Sequence, residues 1–254
     1  MNAEELAGVT AHPIQVLGMS FYFDPPTKVR ARELGLNVFE FYGLGRAGVL
    51  GNVDSSVVHR AFTFFHPDTI AALWDSPLAK ADPVSTAAHY VEAAYAFADR
   101  TFGDLDEADL ANFAAAAFKV IANVPLGRHL LVDGYRQFTE PDNPVHAAYL
   151  ATILLRELRG GAHIDAVHRV GLAPNEAAYL ESDALFTLHG YAEADVPVVT
   201  PQLEAQKLEA EALTASIMAE YFAVLDEAER QQLAGATLAM FEALGRPVLV
   251  SELP

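Results

Sequence analysis

Arg156, Glu157, Arg159 and His163 fall within eight residues of the stretch LLRELRGGAHIDAVHRVGL (154–172), directly after a run that is apolar on nearly every side. A buried, unpaired charge costs several kcal/mol, on the order of 3 or more, so these groups must be paired, exposed at a cleft or met by a ligand. Glu157 and His163 are the candidate catalytic pair, because general acid–base chemistry needs only a carboxylate or an imidazole with a tuned pKa in a cleft. An ion-pair and hydrogen-bond cluster that holds a turn is the competing, structural role. Arg156 and Arg159 are candidate anion contacts. They are joined by Arg46, a cation inside the otherwise uncharged, glycine-rich GLGRAG (43–48). Arg46 either holds an anionic ligand group or makes a salt bridge to a residue such as Glu157. Tyr42, His59 and His66 complete the candidate ligand-binding set.

Other chemistries find less support. Nine histidines and no cysteine raise the question of a metal site, and the lack of cysteine removes thiolate zinc sites, iron–sulfur clusters and disulfides. His59 and His66 are seven apart with Pro67 following, and His163 and His168 are five apart, about 140° around a helix. Neither is the i, i+4 spacing that two helical zinc ligands favour. No metal is expected, although a centre assembled from distant segments stays open. GLGRAG satisfies GxGxxG, but no strand–turn–helix unit surrounds it, so its glycines are read as places where helices approach closely and no cofactor is expected. A GxSxG nucleophile elbow is absent.

The elements that must position these residues are helices. Helical periodicity and abundant Ala and Leu point to a mainly α, multi-helix protein. Helices are expected over 25–34, from Ser55, from Pro67, over 81–102 and over 107–121. EPDNP (140–144) is the strongest punctuation and sets an expected boundary between two packed lobes, an N-terminal helical lobe (1–140) and a second lobe (141–254). In the second, a central helix over 145–158 is expected to stop at Gly160 and Gly161. A second helix, 162–170, ends at Gly171 with Leu172 folding back, and a third spans 175 to about 188. Three short helices in this order form a helix-turn-helix skeleton. VPVVT (196–200) is then a wing-like strand and two amphipathic helices, about 201–225 and 227–244, follow. The second lobe thus reads as a degenerate winged-helix-like arrangement.

The order YFDPP (22–26), FYGLGRAGVLGNV (41–53), FTFFHPDTIAALW (62–74) and LATILLRELRGGAHIDAVHRVGL (150–172) resembles an actinobacterial family of hypothetical proteins described as helix-turn-helix or winged-helix-like. The resemblance covers about 200 residues. Its last motif runs Arg-Glu-His-Arg-Gly-Asp-Gly-His, which Arg156, Glu157, Arg159, Gly160 and His163 match and from which Leu158 and Gly161 depart. The resemblance implies a fold and, by its label, a DNA-binding regulator. After Gly190 the expected Trp-containing helix and extended wing are shortened to GYAEADVPVVTPQL.

Charge sorts the function classes. The net charge is −18, from 34 acidic and 16 basic residues, and it repels phosphate backbones and anionic lipid. From Ala173 to Glu227, where a recognition helix would lie, there are eleven acidic residues and one base, Lys207. Nucleic acid is therefore not expected as a partner. With no basic n-region and no apolar run near about 20 residues, no membrane partner is expected either, and the protein is read as cytoplasmic. Aromatic residues crowd the N-terminal half, among them Phe21, Tyr22, Phe23, Phe62, Phe64 and Phe65. Packed against the 156–163 segment, some of them would form an apolar cavity with a few convergent polar groups. The leading expectation is a small-molecule-binding protein with a pocket between the lobes, a ligand sensor or a protein of specialised metabolism. A cofactor-independent enzyme using Glu157 and His163 is the alternative, and a DNA-binding transcriptional regulator the second. The alanine-rich ATLAMFEAL (236–244) leaves a homodimer open, with core packing as its other use.

Overall fold

A computed structural model describes residues 1–245; residues 246–254, the tail of the expected second lobe, lie outside the described residues. The chain begins with α1 (Ala3–Met19), started by a reciprocal cap between Asn2 and Glu5, and α2 (Pro25–Glu33). Then come α3 (Val38–Ala47), α4 (Ser55–Ala61), α5 (Pro67–Leu78), α6 (Pro83–Phe102), α7 (Glu107–Asn123) and α8 (Leu130–Tyr135). Prolines at the first positions of α2, α5 and α6 have no N–H to lose there, which is why these starts are readable in the sequence. The remaining helices are α9 (Pro144–Arg169), α10 (Pro174–Glu181), α11 (Asp183–Leu188), α12 (Pro201–Phe222) and α13 (Glu227–Leu244). Among the described residues there is no strand, so the mainly α expectation holds.

The centre of the molecule is α9. Every residue from Ala147 to Leu155 is buried, and α1, α6, α7, α8 and α12 pack around it. Its apolar surface is therefore covered on all sides, as an all-round hydrophobic helix requires. One continuous cluster of buried apolar side chains runs from Leu6 in α1 to Met240 in α13.

Three local expectations are corrected. The first is the stop at Gly160 and Gly161: α9 continues through both for 26 residues, and neither glycine adopts positive φ. A glycine pair ends a helix only where a left-handed turn is needed. Here Gly161 lies against the His129 ring, so its missing Cβ lets the segment before α8 pack on α9. The stop comes instead at Gly171 (φ 71°), as expected, with the Leu172 N–H donating to the Val167 carbonyl at 3.1 Å and Leu172 buried. Second, the helix expected over 175–188 is two helices broken at Ser182, whose extended backbone (ψ 152°) and hydroxyl cap begin α11. Third, VPVVT forms no strand, because Pro197 lacks a donor and no second strand lies beside it to complete a ladder.

α1 and α3 were not legible as helices. Gly8, Pro13 and Gly18 dilute the helical signal of α1, and Gly43 and Gly45 dilute that of α3. In the fold the glycines of 43–48 serve packing. A side chain at Gly43 would collide with Leu73 of α5, at Gly45 with Tyr90 of α6 and at Gly48 with Pro83. GLGRAG thus brings α3 into close contact with α5 and α6, as the sequence suggested, and one turn of it points Arg46 at α9.

Candidate functional site

Arg46 and Glu157 meet across α3 and α9. Arg46 Nε donates to Glu157 Oε1 at 2.8 Å and Arg46 Nη2 to Glu157 Oε2 at 2.7 Å, a two-point fork between planar groups. Of the two roles open to Arg46, the structure realises the salt bridge. Its third nitrogen, Nη1, donates to the Tyr42 hydroxyl at 2.8 Å, and the guanidinium lies 4.4 Å from the centre of the Phe62 ring. Arg156 is the second base on the same carboxylate: its Nη1 donates to Glu157 Oε1 at 2.8 Å, while its guanidinium lies 5.4 Å from the Tyr22 ring centre. Gly18 makes this possible, because a side chain there would press on the Arg156 stem.

Burial alone would raise the Glu157 carboxyl, but the charges of Arg46 and then Arg156 outweigh it and hold it below the ordinary carboxylate range. Burial would likewise depress Arg46, and Glu157 reverses this. Glu157 is thus a fixed anion, a poor proton acceptor near neutral pH. Nor does it meet His163. The two are six residues apart on a continuous helix, about 9 Å along its axis and about 120° around it. His163 instead shares a hydrogen bond of 3.0 Å between Nδ1 and Thr214 Oγ1 on α12, beside Glu211 at 3.7 Å. Burial, first, and then the partly opposing charge of Glu211 leave its pKa lowered.

A cavity of about 1330 Å³ lies beside the C-terminal half of α9. Tyr42, Arg46, Arg156, Glu157, Arg159 and His163 all line it. Arg159 Nη2 also reaches Glu211 of α12 at 3.2 Å. His59 and His66 do not line it. His59 Nε2 lies 3.1 Å from the Phe65 carbonyl, and His66 caps α5, its Nδ1 accepting from the Asp68 N–H at 3.2 Å. Among the described residues no group of three or more His, Asp or Glu is arranged to hold a metal ion.

Two residues that the sequence reading did not select belong to this wall. Tyr22, counted there among the aromatic residues that would supply core and cavity wall but not chosen as a ligand contact, has the Arg156 guanidinium over its ring, and burial pushes its phenol upward so that it stays a neutral hydroxyl. His189, after α11, lies against Phe65 with ring centres 4.4 Å apart and the rings tilted by 47°, and its buried Nδ1 has no hydrogen-bond partner among the described residues. Burial, reinforced by Arg46, lowers it to about 4, so it is neutral at physiological pH. The only local clue was the HG dipeptide: Gly190 has φ 92° and leaves no room for a side chain beside Thr69 of α5. The His66 N–H then donates to the His189 carbonyl at 2.8 Å, so His66 positions His189 rather than touching the cavity.

A helix-turn-helix family model matches residues 7–196, three quarters of the chain. The chain belongs to that helix-turn-helix family. No curated protein and no solved structure matched it. The family's extent contains the Arg46, Arg156 and Glu157 cluster together with Tyr22 and His189, but it stops before α12. Glu211 and Thr214, the partners of Arg159 and His163, therefore lie beyond the family match. Within the matched range, α11 lends Leu185 and Leu188 to the cavity wall. No helix among the described residues is long and apolar enough to cross a membrane.

Proposed function

We propose that this member of the helix-turn-helix family is a small-molecule-binding protein, a ligand sensor or a protein of specialised metabolism, with its ligand in the cavity beside α9. The observation that carries this reading is the cavity's lining: aromatic side chains from the N-terminal half and a few polar groups converging on one apolar space, the usual character of a small-molecule site. Two lobes meeting at 140–144 remain the proposed organisation, with the ligand between them. An enzyme that uses Glu157 and His163 as a pair draws less support, since Glu157 is held ionised and the two side chains are bonded to different partners.

Screening a metabolite library by thermal shift tests the proposal. A ligand at about 100 times its Kd stabilises by about 2.7 kcal/mol, which for a chain of this size raises Tm by roughly 5–10 °C. The rise is expected to vanish in Gly160→Leu, because the space beside Gly160 is open and the added side chain would extend into the cavity. A shift of equal size in that variant would place the ligand elsewhere.

The family description favours a second reading, a DNA-binding regulator. Against it stands the acidic segment from Ala173 to Glu227, which includes α10 and α11 and contains only Lys207 as a base.

A further inference from the structure

We infer that the ligand of this cavity is an organic monoanion: an apolar body lying against Tyr22, Tyr42, Phe62 and Phe65, with one anionic headgroup held by Arg156. The inference rests on the ligand-binding reading above and names the chemistry that reading leaves open.

The charge balance of the wall carries it. The chain has 34 acidic and 16 basic side chains, yet four of the former and six of the latter line the cavity. Each of those four carboxylates has a base of its own. Glu157 is forked by Arg46, Asp165 faces Arg128, Glu211 faces Arg159 and Glu181 faces Lys207. That leaves Arg60, which is exposed, and Arg156, whose side chain is only 11% exposed. Arg156 shares Glu157 with Arg46 through Nη1 alone. Its Nε is buried without a partner, and its Nη2 makes no hydrogen bond among the described residues. The inner wall therefore holds two guanidinium groups and one carboxylate, with one positive charge unmatched in a setting that water reaches poorly.

The neighbours of Arg156 fit an anion and not a cation. The Tyr42 hydroxyl accepts from Arg46 Nη1, which leaves its own proton free to donate to an acceptor in the cavity. Tyr22 has a hydroxyl with no hydrogen-bond partner among the described residues, and its ring meets Tyr42 at 5.1 Å between centres. Phe62 and Phe65 extend the same aromatic surface at 5.9 and 6.2 Å from Tyr42. One unmatched charge selects one anionic group, a carboxylate or a sulfonate, over a dianionic phosphate monoester. The aromatic surface selects an apolar body.

Two fluorescent probes with nearly the same apolar body separate the elements of this proposal. N-phenyl-1-naphthylamine is neutral, and 8-anilinonaphthalene-1-sulfonate carries one negative charge. The wild-type protein is expected to bind both, the sulfonate at least tenfold more tightly. Arg156→Met should reduce that ratio to near one while leaving the neutral probe's affinity within twofold, which also shows that the variant remains folded. Arg156→Lys should retain part of the preference. 1-Naphthoate should displace the sulfonate at lower concentration than 1-naphthyl phosphate does. Binding of the neutral probe with no preference for the sulfonate in wild type overturns the monoanion inference while leaving the pocket reading standing. Failure of both probes to bind removes both. A stronger displacement by the phosphate overturns the single-charge assignment, and this comparison needs only the wild-type protein.

Discussion

Arg46, Arg156 and Glu157 form a cluster in which the sign of each substitution follows from counting charges. Glu157→Gln removes the carboxylate that two buried guanidinium groups share and leaves them facing each other. Breaking a buried pair in this way typically costs about 3–5 kcal/mol. Arg46→Met leaves Glu157 with Arg156, a neutral pair, so its loss should be the smaller. Adding Arg156→Met to Glu157→Gln brings the site back to one positive charge and should restore part of the stability. Urea unfolding of the wild type, these three variants and Arg156→Met alone checks this order. A double variant as unstable as the sum of its single changes would show that packing, and not charge, sets the cost. The types of these three residues and their apolar setting were legible in the sequence, as was the pairing of Arg46 with Glu157 as one of two options. The sharing of one carboxylate by two arginines was not, because they come from residues 110 apart and only the approach of α3 to α9 decides who reaches whom.

The continuity of α9 is an element-scale property with an element-scale test. Gly160 and Gly161 are adjacent, both helical, and have opposite surroundings. Next to Gly160 there is open space, whereas a side chain at Gly161 would strike the His129 ring. Gly160→Ala should therefore stabilise the protein by about 0.5–1 kcal/mol, the usual gain from replacing a helix-interior glycine. Gly161→Ala should destabilise it, because His129, hydrogen-bonded to Tyr221 at 2.8 Å, must move. Thermal unfolding of the two variants reads the difference directly. A turn at this pair, as the sequence suggested, would require at least one of the glycines for its backbone and would make both substitutions unfavourable. The misreading has a physical source: glycine marks a left-handed cap and a close helix contact equally well, and only the neighbouring segment tells them apart. At Gly171 the local signal sufficed, since the cap is made by Leu172 and Val167 within the same stretch.

For the whole molecule, the net charge of −18 sets the expectation against bulk DNA. Each phosphate contact needs a Lys or Arg to displace counterions, and the α10–α11 region supplies almost none. Mobility-shift measurements with random-sequence duplex at low salt should show no retardation at micromolar protein. Tight, salt-sensitive retardation would instead favour the regulator reading that the family description suggests.

The sequence by itself determined that the chain is mainly α, where most of its helices begin, and that charge would gather on an otherwise apolar central helix. These are local or additive properties: proline at the first helical turn, hydrophobic period and net charge act through near neighbours or by summation. Only the tertiary structure decided that α9 runs unbroken through Gly160 and Gly161, that Glu157 faces Arg46 while His163 turns to Thr214, and that Tyr22 and His189 join the same wall. Each of those outcomes depends on segments distant in the chain arriving within a few ångströms, and no residue's own type or spacing encodes its distant neighbour.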